Sequence, residues 1–244
     1  MASVISSRLD LLVRLIDTTT GAAVEERNVL FLRGEIPVRP EPRGPGTFVF
    51  INTGREDFLM RIRVKGFDEY ESRVCYEELN ERIPAFNVFL IPSENTKKGE
   101  RVLSLSGNLP FLETLEAVNL NRVICHANSF DQKTNVLSIF GQAGEGIFLY
   151  DTWYGLLDGS KLSFEKIEVI GNETPQSVLL KSPIETELTS NTPLIRVVFG
   201  SVRENGDYAL RVRDDGEEIK YLVRYTVKGE ARFKTVDFRE DTGL

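Results

Sequence analysis

Cys125 and His126 stand side by side, and they are the first place in this sequence to look for a thiol nucleophile or a metal site. A catalytic cysteine needs an imidazole within hydrogen-bonding reach. The run R-V-I-C-H-A-N alternates like a strand, so neighbouring side chains point to opposite faces. With two cysteines and one histidine, the chain has too few ligands for zinc unless carboxylates help. The sequence therefore predicts a structural or surface role for this pair, with no catalytic and no metal-binding residues.

The glycine-rich stretch Gly141–Gly146 invites comparison with loops that hold phosphate groups. Such loops lead into a helix N-terminus and usually carry a lysine. Here an aromatic strand follows, and Glu145 would repel a phosphate. We expect a flexible hairpin loop, and the sequence implies no cofactor.

Two acidic turns are candidates for calcium binding or for carboxylate-dependent hydrolysis. Their residues are Glu77, Glu78 and Glu81 in one turn, and Asp214, Asp215, Glu217 and Glu218 in the other. The spacing of an EF-hand loop is absent. Glycoside hydrolysis needs two carboxylates across a cleft, which linear spacing does not reveal. We expect solvated turns, while calcium binding and a hydrolase stay open as alternatives.

Trp153, with Tyr150 and Tyr154, is the strongest candidate for ligand binding, because flat aromatic rings stack on sugar faces. The three residues lie in the strand-like run I-F-L-Y-D-T-W-Y. Tyr150 and Trp153 are three residues apart, so a regular strand turns at least one of them towards a core. The sequence thus offers these aromatic residues as a possible carbohydrate-binding site.

The side chains considered so far must be positioned by strands. In the first part of the chain, Gly46–Tyr70 is the segment around which the other predicted strands are arranged. Two strand-like runs flank the turn N-T-G-R-E-D there, as in a hairpin. The preceding proline-rich stretch is predicted to be an extended surface loop, because proline cannot donate to a strand ladder. One helical turn is expected in E-E-L-N-E-R-I-P. The predicted strands are 8–17, 28–33, 47–51, 58–64, 70–76 and 86–91.

Four stretches carry a resemblance to a known family. They are D-T-T-T-G-A-A-V at 17–24, G-T-F-V-F at 46–50, F-L-M-R-I-R-V-K-G-F-D-E-Y at 58–70 and P-A-F-N-V-F-L-I-P at 84–92. Residues 8–92 resemble the carboxypeptidase regulatory-like domain, and the resemblance implies a transthyretin-like β-sandwich. That family has no active site of its own, so the resemblance implies a folding or interaction module. The chain departs from the family pattern at its proline-rich insert and at Arg55-Glu56-Asp57.

The remainder of the chain is predicted to be antiparallel β-structure. Residues 93–100 form a polar linker, and 101–244 a β-rich region, either one domain or two at 101–185 and 186–244. A short helix is expected over Leu109–Leu120, begun by Pro110. The apolar face changes sides between Phe164 and Ile167, which predicts a β-bulge. Strands at 194–203, 207–213, 219–227 and 231–238, with Asn-Gly and Asp-Gly turns, predict a four-stranded meander.

Composition and charge narrow the classes of partner. The net charge of −7 and the lack of a basic stripe argue against nucleic acid. No apolar run approaches the roughly 18 residues that span a bilayer, and no secretory signal is evident at the start. We expect cytoplasmic synthesis, with both cysteines reduced.

The sequence favours an all-β, non-enzymatic structural or adaptor protein over an enzyme. The sequence as a whole is similar to accessory proteins of phage-tail-like contractile injection particles. This resemblance implies other protein subunits as partners in a multimeric assembly. The alternative is a module that binds carbohydrate or a cell surface through the aromatic residues. The second alternative is a carboxylate-dependent hydrolase.

Overall fold

The computed structural model describes residues 8–26, 28–93, 102–140, 152–158, 161–174, 176–189, 191–214, 220–241 and 243–244. Their secondary structure is nearly all β, in several sheets whose strands run mostly antiparallel. None of the helices in these residues has the length and apolar character to cross a bilayer. The chain forms two compact units: unit 1 is Met1–Glu100 and unit 2 is Arg101–Leu244.

Unit 1 contains two sheets that enclose one core. Its strands are β1 (Leu9–Asp17), β2 (Val29–Arg33), β3 (Ile36–Val38), β4 (Glu41–Gly44), β5 (Thr47–Ile51), β6 (Phe58–Val64), β7 (Tyr70–Val74) and β8 (Ala85–Leu90). The β1 sheet has the order β4-β5-β1-β8, with β8 parallel to β1, and the β6 sheet has the order β3-β2-β6-β7. Alternate residues of both sheets, such as Leu11, Val13, Phe31 and Ile62, are buried in one cluster.

The segment Gly46–Tyr70 is not a hairpin, which corrects the sequence prediction. Its two strands β5 and β6 form as expected, but β5 pairs with β1 and β4, whereas β6 pairs with β2 and β7. The six-residue connection therefore crosses from one sheet to the other. A two-residue turn would have forced the strands to pair, but this longer one lets them part.

Asp10 of β1 fixes the connection between β5 and β6 through hydrogen bonds. Its Oδ2 accepts hydrogen bonds from the backbone N–H groups of Thr53 at 2.6 Å and Gly54 at 2.9 Å. Its Oδ1 accepts one from the Nε of Arg8 at 2.7 Å. Burial alone would raise the pKa of Asp10, but these hydrogen bonds outweigh it and hold the pKa below its usual value.

The proline-rich stretch contains two short strands and is not loop throughout, although it lies at the surface as predicted. Pro37 lies in β3 and Pro42 in β4, and both strands are edges of their sheets. Proline is tolerated there because an edge strand has one side that bonds to no neighbour. The predicted helical turn is a 3₁₀ turn at Tyr76–Glu78.

Unit 2 is built around one long strand. Its strands are β9 (Val102–Asn108), β10 (Leu112–Asp131), β11 (Val136–Phe140), β12 (Thr152–Asp158), β13 (Ser163–Thr174), β14 (Ser177–Leu180), β15 (Thr192–Phe199), β16 (Ser201–Val202), β17 (Asp207–Arg213), β18 (Lys220–Val227) and β19 (Glu230–Asp237). The helix predicted at Leu109–Leu120 is wrong, because β10 already begins at Leu112. Leu112, Leu115 and Glu116 fit helical spacing, yet pairing with β15 and β18 decides the conformation.

The second half of β10 closes a barrel. Within the described residues, pairings run from β10 through β15, β12, β13, β14 and β11 and back to β10. Each of these six strands contributes side chains to a single buried cluster, which includes Tyr154, Leu156, Val169 and Leu194. Closure removes the sheet edges that an open sheet would leave.

The first half of β10 belongs to a second core. There β10, β18 and β19 form one layer, and the sheet β16-β17-β9 supplies residues such as Leu105 and Leu210 to the same cluster. The predicted four-stranded meander is wrong, because β17 pairs with β9 and not with β18. The hairpins β16–β17 and β18–β19 do form. The partner β9 is distant in sequence, so local turn signals could not reveal it.

The β-bulge predicted between Phe164 and Ile167 is also wrong. The register of β13 against β12 is regular from Ser163 to Val169. Phe164 packs on the outside of the barrel, whereas Ile167 packs inside it. The apolar pattern changes sides because this strand is covered on both faces.

Candidate functional site

The two described members of the predicted aromatic site, Trp153 and Tyr154, lie on opposite faces of β12. Tyr154 is fully buried inside the barrel, where no ligand can reach it. Trp153 lies on the opposite face of β12, partly buried beside Phe199 and Leu157. The Nζ of Lys166 sits 4.7 Å from the centre of its ring. Tyr150 lies outside the described residues. Adjacent residues of a strand point to opposite faces, which is why Trp153 and Tyr154 are separated.

A buried ion cluster lies next to Trp153 and was missed by the sequence analysis. The side chain of Glu116 on β10 is only 5% exposed, and it forms an ion pair with Lys166 of β13. Arg224 of β18 places its Nη1 3.5 Å from the Oε2 of Glu116, and that oxygen accepts no hydrogen bond within the described residues. We call these three residues the Glu116 cluster. It links three strands of unit 2 through one carboxylate.

A groove of about 980 Å³ opens beside the Glu116 cluster. Lys166 and Arg224 line it, together with the rings of Phe164 and Phe233. Those two rings meet edge to face, with their centres 5.8 Å apart. Three cationic and four acidic residues line the groove together with this aromatic wall. Such an arrangement can contact polar, hydroxyl-rich ligands.

The segment 185–189 forms another wall of this groove and is fastened to β13. The carboxylate of Glu165 accepts hydrogen bonds from the backbone N–H of Glu185 at 2.9 and 3.0 Å and of Thr186 at 2.6 Å. Glu165 therefore orders the loop, and its oxygens are engaged with backbone. A carboxylate held in this way is a structural group.

The side chains of Cys125 and His126 have different surroundings. Cys125 points into the barrel, and burial raises its pKa to about 12, so its thiol stays protonated at neutral pH. His126 stacks on Phe140, with the ring centres 5.5 Å apart. The two side chains lie on opposite faces of β10, as strand geometry requires.

The acidic turns show no metal geometry where the structure describes them. Glu77, Glu78 and Glu81 are exposed. Asp214 is paired with Arg239 at 3.0 Å, and the other acids of its turn lie outside the described residues. No group of three or more histidine, cysteine or acidic side chains in the described part of the chain could hold a metal ion. The glycine-rich stretch 141–146 also lies outside that part.

An exposed aromatic residue marks the turn between β9 and β10. Phe111 is 67% exposed and adopts a φ of +65°, a conformation that is unfavourable for a bulky side chain. The Nζ of Lys228, in the β18–β19 turn, lies 4.5 Å from its ring centre. A strained, exposed and ordered aromatic ring is a typical contact point for another molecule.

The edges of the sheets in unit 1 differ in their capacity to accept another strand. β3 and β4 carry Pro37 and Pro42, whereas β7 and β8 contain no proline. Among the described strands, β7 pairs only with β6, and β8 only with β1. The outer side of an edge strand such as β7 can accept a further strand.

Glu116 and Asp10 could have been noticed in the sequence as acids within apolar strand patterns. The partners of Glu116 could not, because Lys166 and Arg224 are 50 and 108 positions after it.

Comparison with family models, curated proteins and solved structures finds no match to this chain.

Proposed function

We propose that this chain is a non-enzymatic structural or adaptor protein that docks into a larger protein assembly. The observation that carries the proposal is β7, a proline-free strand that ends the β6 sheet and pairs only with β6 among the described strands. Edge strands of this kind bind other chains by extending a sheet. Phe111 offers a second contact point, in unit 2.

The shared core of the two sheets in unit 1 supports the finer interpretation as a transthyretin-like β-sandwich. A sandwich of the carboxypeptidase regulatory-like type would act as a docking module. We propose a phage-tail-like contractile particle as the assembly, on the general likeness of the sequence to accessory proteins of such particles.

Light scattering of the purified protein and affinity capture from the native host test the proposal together. We expect self-association or the capture of particle subunits such as sheath, tube or baseplate proteins. Phe111→Ser should weaken capture, and Leu162→Ser, at another exposed apolar position, is the matched control. A monomer that captures no protein would refute the adaptor role.

A carbohydrate-binding role is the second candidate, and the groove beside the Glu116 cluster favours it. Phe233 is 37% exposed at its wall and could stack on a sugar ring, which Trp153 cannot do on the face that Lys166 covers. A glycan array with wild type, Phe233→Ala and Trp153→Ala tests this role. Binding that Phe233→Ala abolishes would support it, and the absence of binding by wild type would remove it.

A further inference from the structure

We propose that unit 1 forms a two-fold dimer through β7, in which the β7 strands of two copies pair antiparallel about Ser72. The two β6 sheets would then become one continuous eight-stranded sheet. This inference rests on the proposed docking role and names the partner of the β7 edge as a second copy of the chain.

The sequence of β7 is complementary to itself in one antiparallel register. The strand reads Tyr70-Glu71-Ser72-Arg73-Val74. When Ser72 lies opposite Ser72 of the second copy, Glu71 faces Arg73, Tyr70 faces Val74, and each pair occurs twice. Opposite charges and aromatic–aliphatic pairs stabilise directly opposed positions. A two-fold interface requires this kind of self-complementarity.

The side chains of β7 are oriented to make those pairs. Val74 is buried in the core, and Tyr70 packs against the same core, so these residues and Ser72 share the inner face. Glu71 and Arg73 share the outer face, with side chains 48% and 71% exposed. Glu71 is bonded to Arg61 within the sheet, and Arg73 lies 3.8 Å from Asp57. The side chains of Glu71 and Arg73 therefore lie at the surface, where they can contact a second copy of the chain.

The opposite side of the unit provides the contrast. β4 has the same acidic and basic residues at the same spacing, Glu41-Pro42-Arg43, with their side chains joined at 2.6 Å. Pro42 occupies the central position there and has no N–H to donate. The self-complementary charge pattern is thus combined with a proline-free backbone only at β7, among the edge strands described in unit 1.

The size of the contact sets the expected strength. A five-residue strand pairing buries less than a standard protein interface, so we expect a dissociation constant of roughly 10–100 μM. The Asp68 N–H donates to the carbonyl of Ile91 at 2.9 Å, which fastens the segment before β7 to the segment after β8 within one copy.

Sedimentation velocity with charge-reversal variants tests the dimer. The wild-type mass should rise from 27.6 kDa towards twice that value as concentration increases. Glu71→Arg and Arg73→Glu should each weaken dimerisation at least about tenfold, because each places like charges opposite one another twice. An equimolar mixture of the two variants should form heterodimers, because all four charges are then complementary. Glu41→Arg is the matched control, and circular dichroism verifies that each variant is folded.

The distance between spin labels on the two Cys75 residues tests the register independently. Cys75 is partly exposed, whereas Cys125 is buried with a pKa of about 12 and should not react. Each Cys75 is three residues from the two-fold axis, so the two Cα atoms should lie about 20 Å apart. Cys75→Ser removes the label and serves as the control.

The results of these experiments distinguish the β7 dimer from the broader proposal of an adaptor role. A chain that self-associates, but keeps its association constant in Glu71→Arg and Arg73→Glu, would overturn the β7 dimer and leave the adaptor role standing. A monomer at all concentrations that still captures particle subunits would do the same. A monomer that captures nothing would overturn both. Heterodimers in the mixture, with labels near 20 Å, would establish the β7 pairing.

Discussion

Unit 1 and unit 2 enclose apolar side chains by different means. In unit 1, two sheets with separate hydrogen-bond ladders contribute to one core, and each sheet keeps two edges. In unit 2, β10 takes part in two cores, and its second half closes a barrel of six described strands. Closure pairs backbone groups that an edge strand such as β7 leaves on one side. The barrel of described strands therefore offers no edge for strand pairing, and in unit 2 the described edges are those of β19, β16 and β9.

The two units also satisfy their buried carboxylates differently. Asp10 accepts backbone N–H groups from the connection between two sheets, together with the guanidinium of Arg8. Glu116 is paired with the side chains of Lys166 and Arg224 instead. The first arrangement fixes a turn, and the second joins strands that are distant in sequence. Loss of the ion pairs of Glu116 should therefore destabilise a larger part of unit 2 than loss of the hydrogen bonds of Asp10 destabilises in unit 1.

The largest expected effect is in the barrel. Tyr154→Ala removes a fully buried ring and should lower the free energy of unfolding of unit 2 by about 3–5 kcal/mol. Trp153 is the only tryptophan, so its fluorescence reports unit 2 in denaturant titrations. Leu162→Ala, at an exposed position, should change stability by less than about 0.5 kcal/mol. Equal effects of the two variants would contradict the barrel as a distinct core.

The next largest loss of stability is expected in unit 1, at Gly46, which lies close to the backbone of β1. Gly46 has a φ of +59°, and an added Cβ would lie 2.6 Å from the carbonyl oxygen of Leu15. Gly46→Ala should therefore cost about 2–4 kcal/mol, from backbone strain and overlap together.

Gly54→Ala is the matched control for Gly46→Ala. Its φ is +82°, but the space around it is open, so a loss of about 1 kcal/mol is expected. A fluorophore on Cys75 reports the unfolding of unit 1. A larger loss in Gly54→Ala than in Gly46→Ala would refute the close approach of Gly46 to β1.

Lys166→Met tests the Glu116 cluster. It leaves a buried carboxylate with Arg224 alone and should destabilise unit 2 by about 2–3 kcal/mol, as measured by Trp153 fluorescence. The control is Lys161→Met, whose exposed ion pair with Asp158 at 3.8 Å should contribute less than about 0.5 kcal/mol. If Glu116→Gln relieved the defect in the double variant, the cause would be the unpaired charge.

The smallest effect is expected at Asp10 and depends on pH. Asp10→Asn should lower the stability of unit 1 by about 1–2 kcal/mol at neutral pH, because the amide replaces a charged acceptor. The folded pKa of Asp10 is depressed, so its contribution is present above about pH 4 and is lost as the pH falls through the folded pKa. The difference between wild type and variant should therefore shrink in acid. A difference that grows in acid would show that the pKa is raised instead.

Local signals predicted individual strands well and their partners poorly. Six of the eight strands from Leu9 to Leu90 were predicted to within a few residues, because period-two alternation and glycine turns mark them. The other two, β3 and β4, were predicted as loop because of their prolines. The helix over Leu109–Leu120 was wrong because its apolar spacing fits both a helix and a strand that is buried on both faces. Pairing with β15 and β18 decided between them.

The candidate site was less predictable than the fold. Trp153 was singled out by residue type, but its ring lies beneath Lys166, and that contact depends on the β12–β13 pairing. Glu116 carries no motif at all. Its importance comes from burial, which brings Lys166 and Arg224 to it from other strands.

The sequence by itself determined that this chain is built of β-strands, where most of those strands lie, and that Cys125 and His126 face opposite sides of one strand. These properties depend on neighbours a few residues apart. Only the tertiary structure decided that β5 and β6 part into two sheets, that β10 closes a barrel and that β7 remains an edge. Those outcomes depend on contacts between residues far apart in sequence, whose free energy is gained only when the whole core assembles.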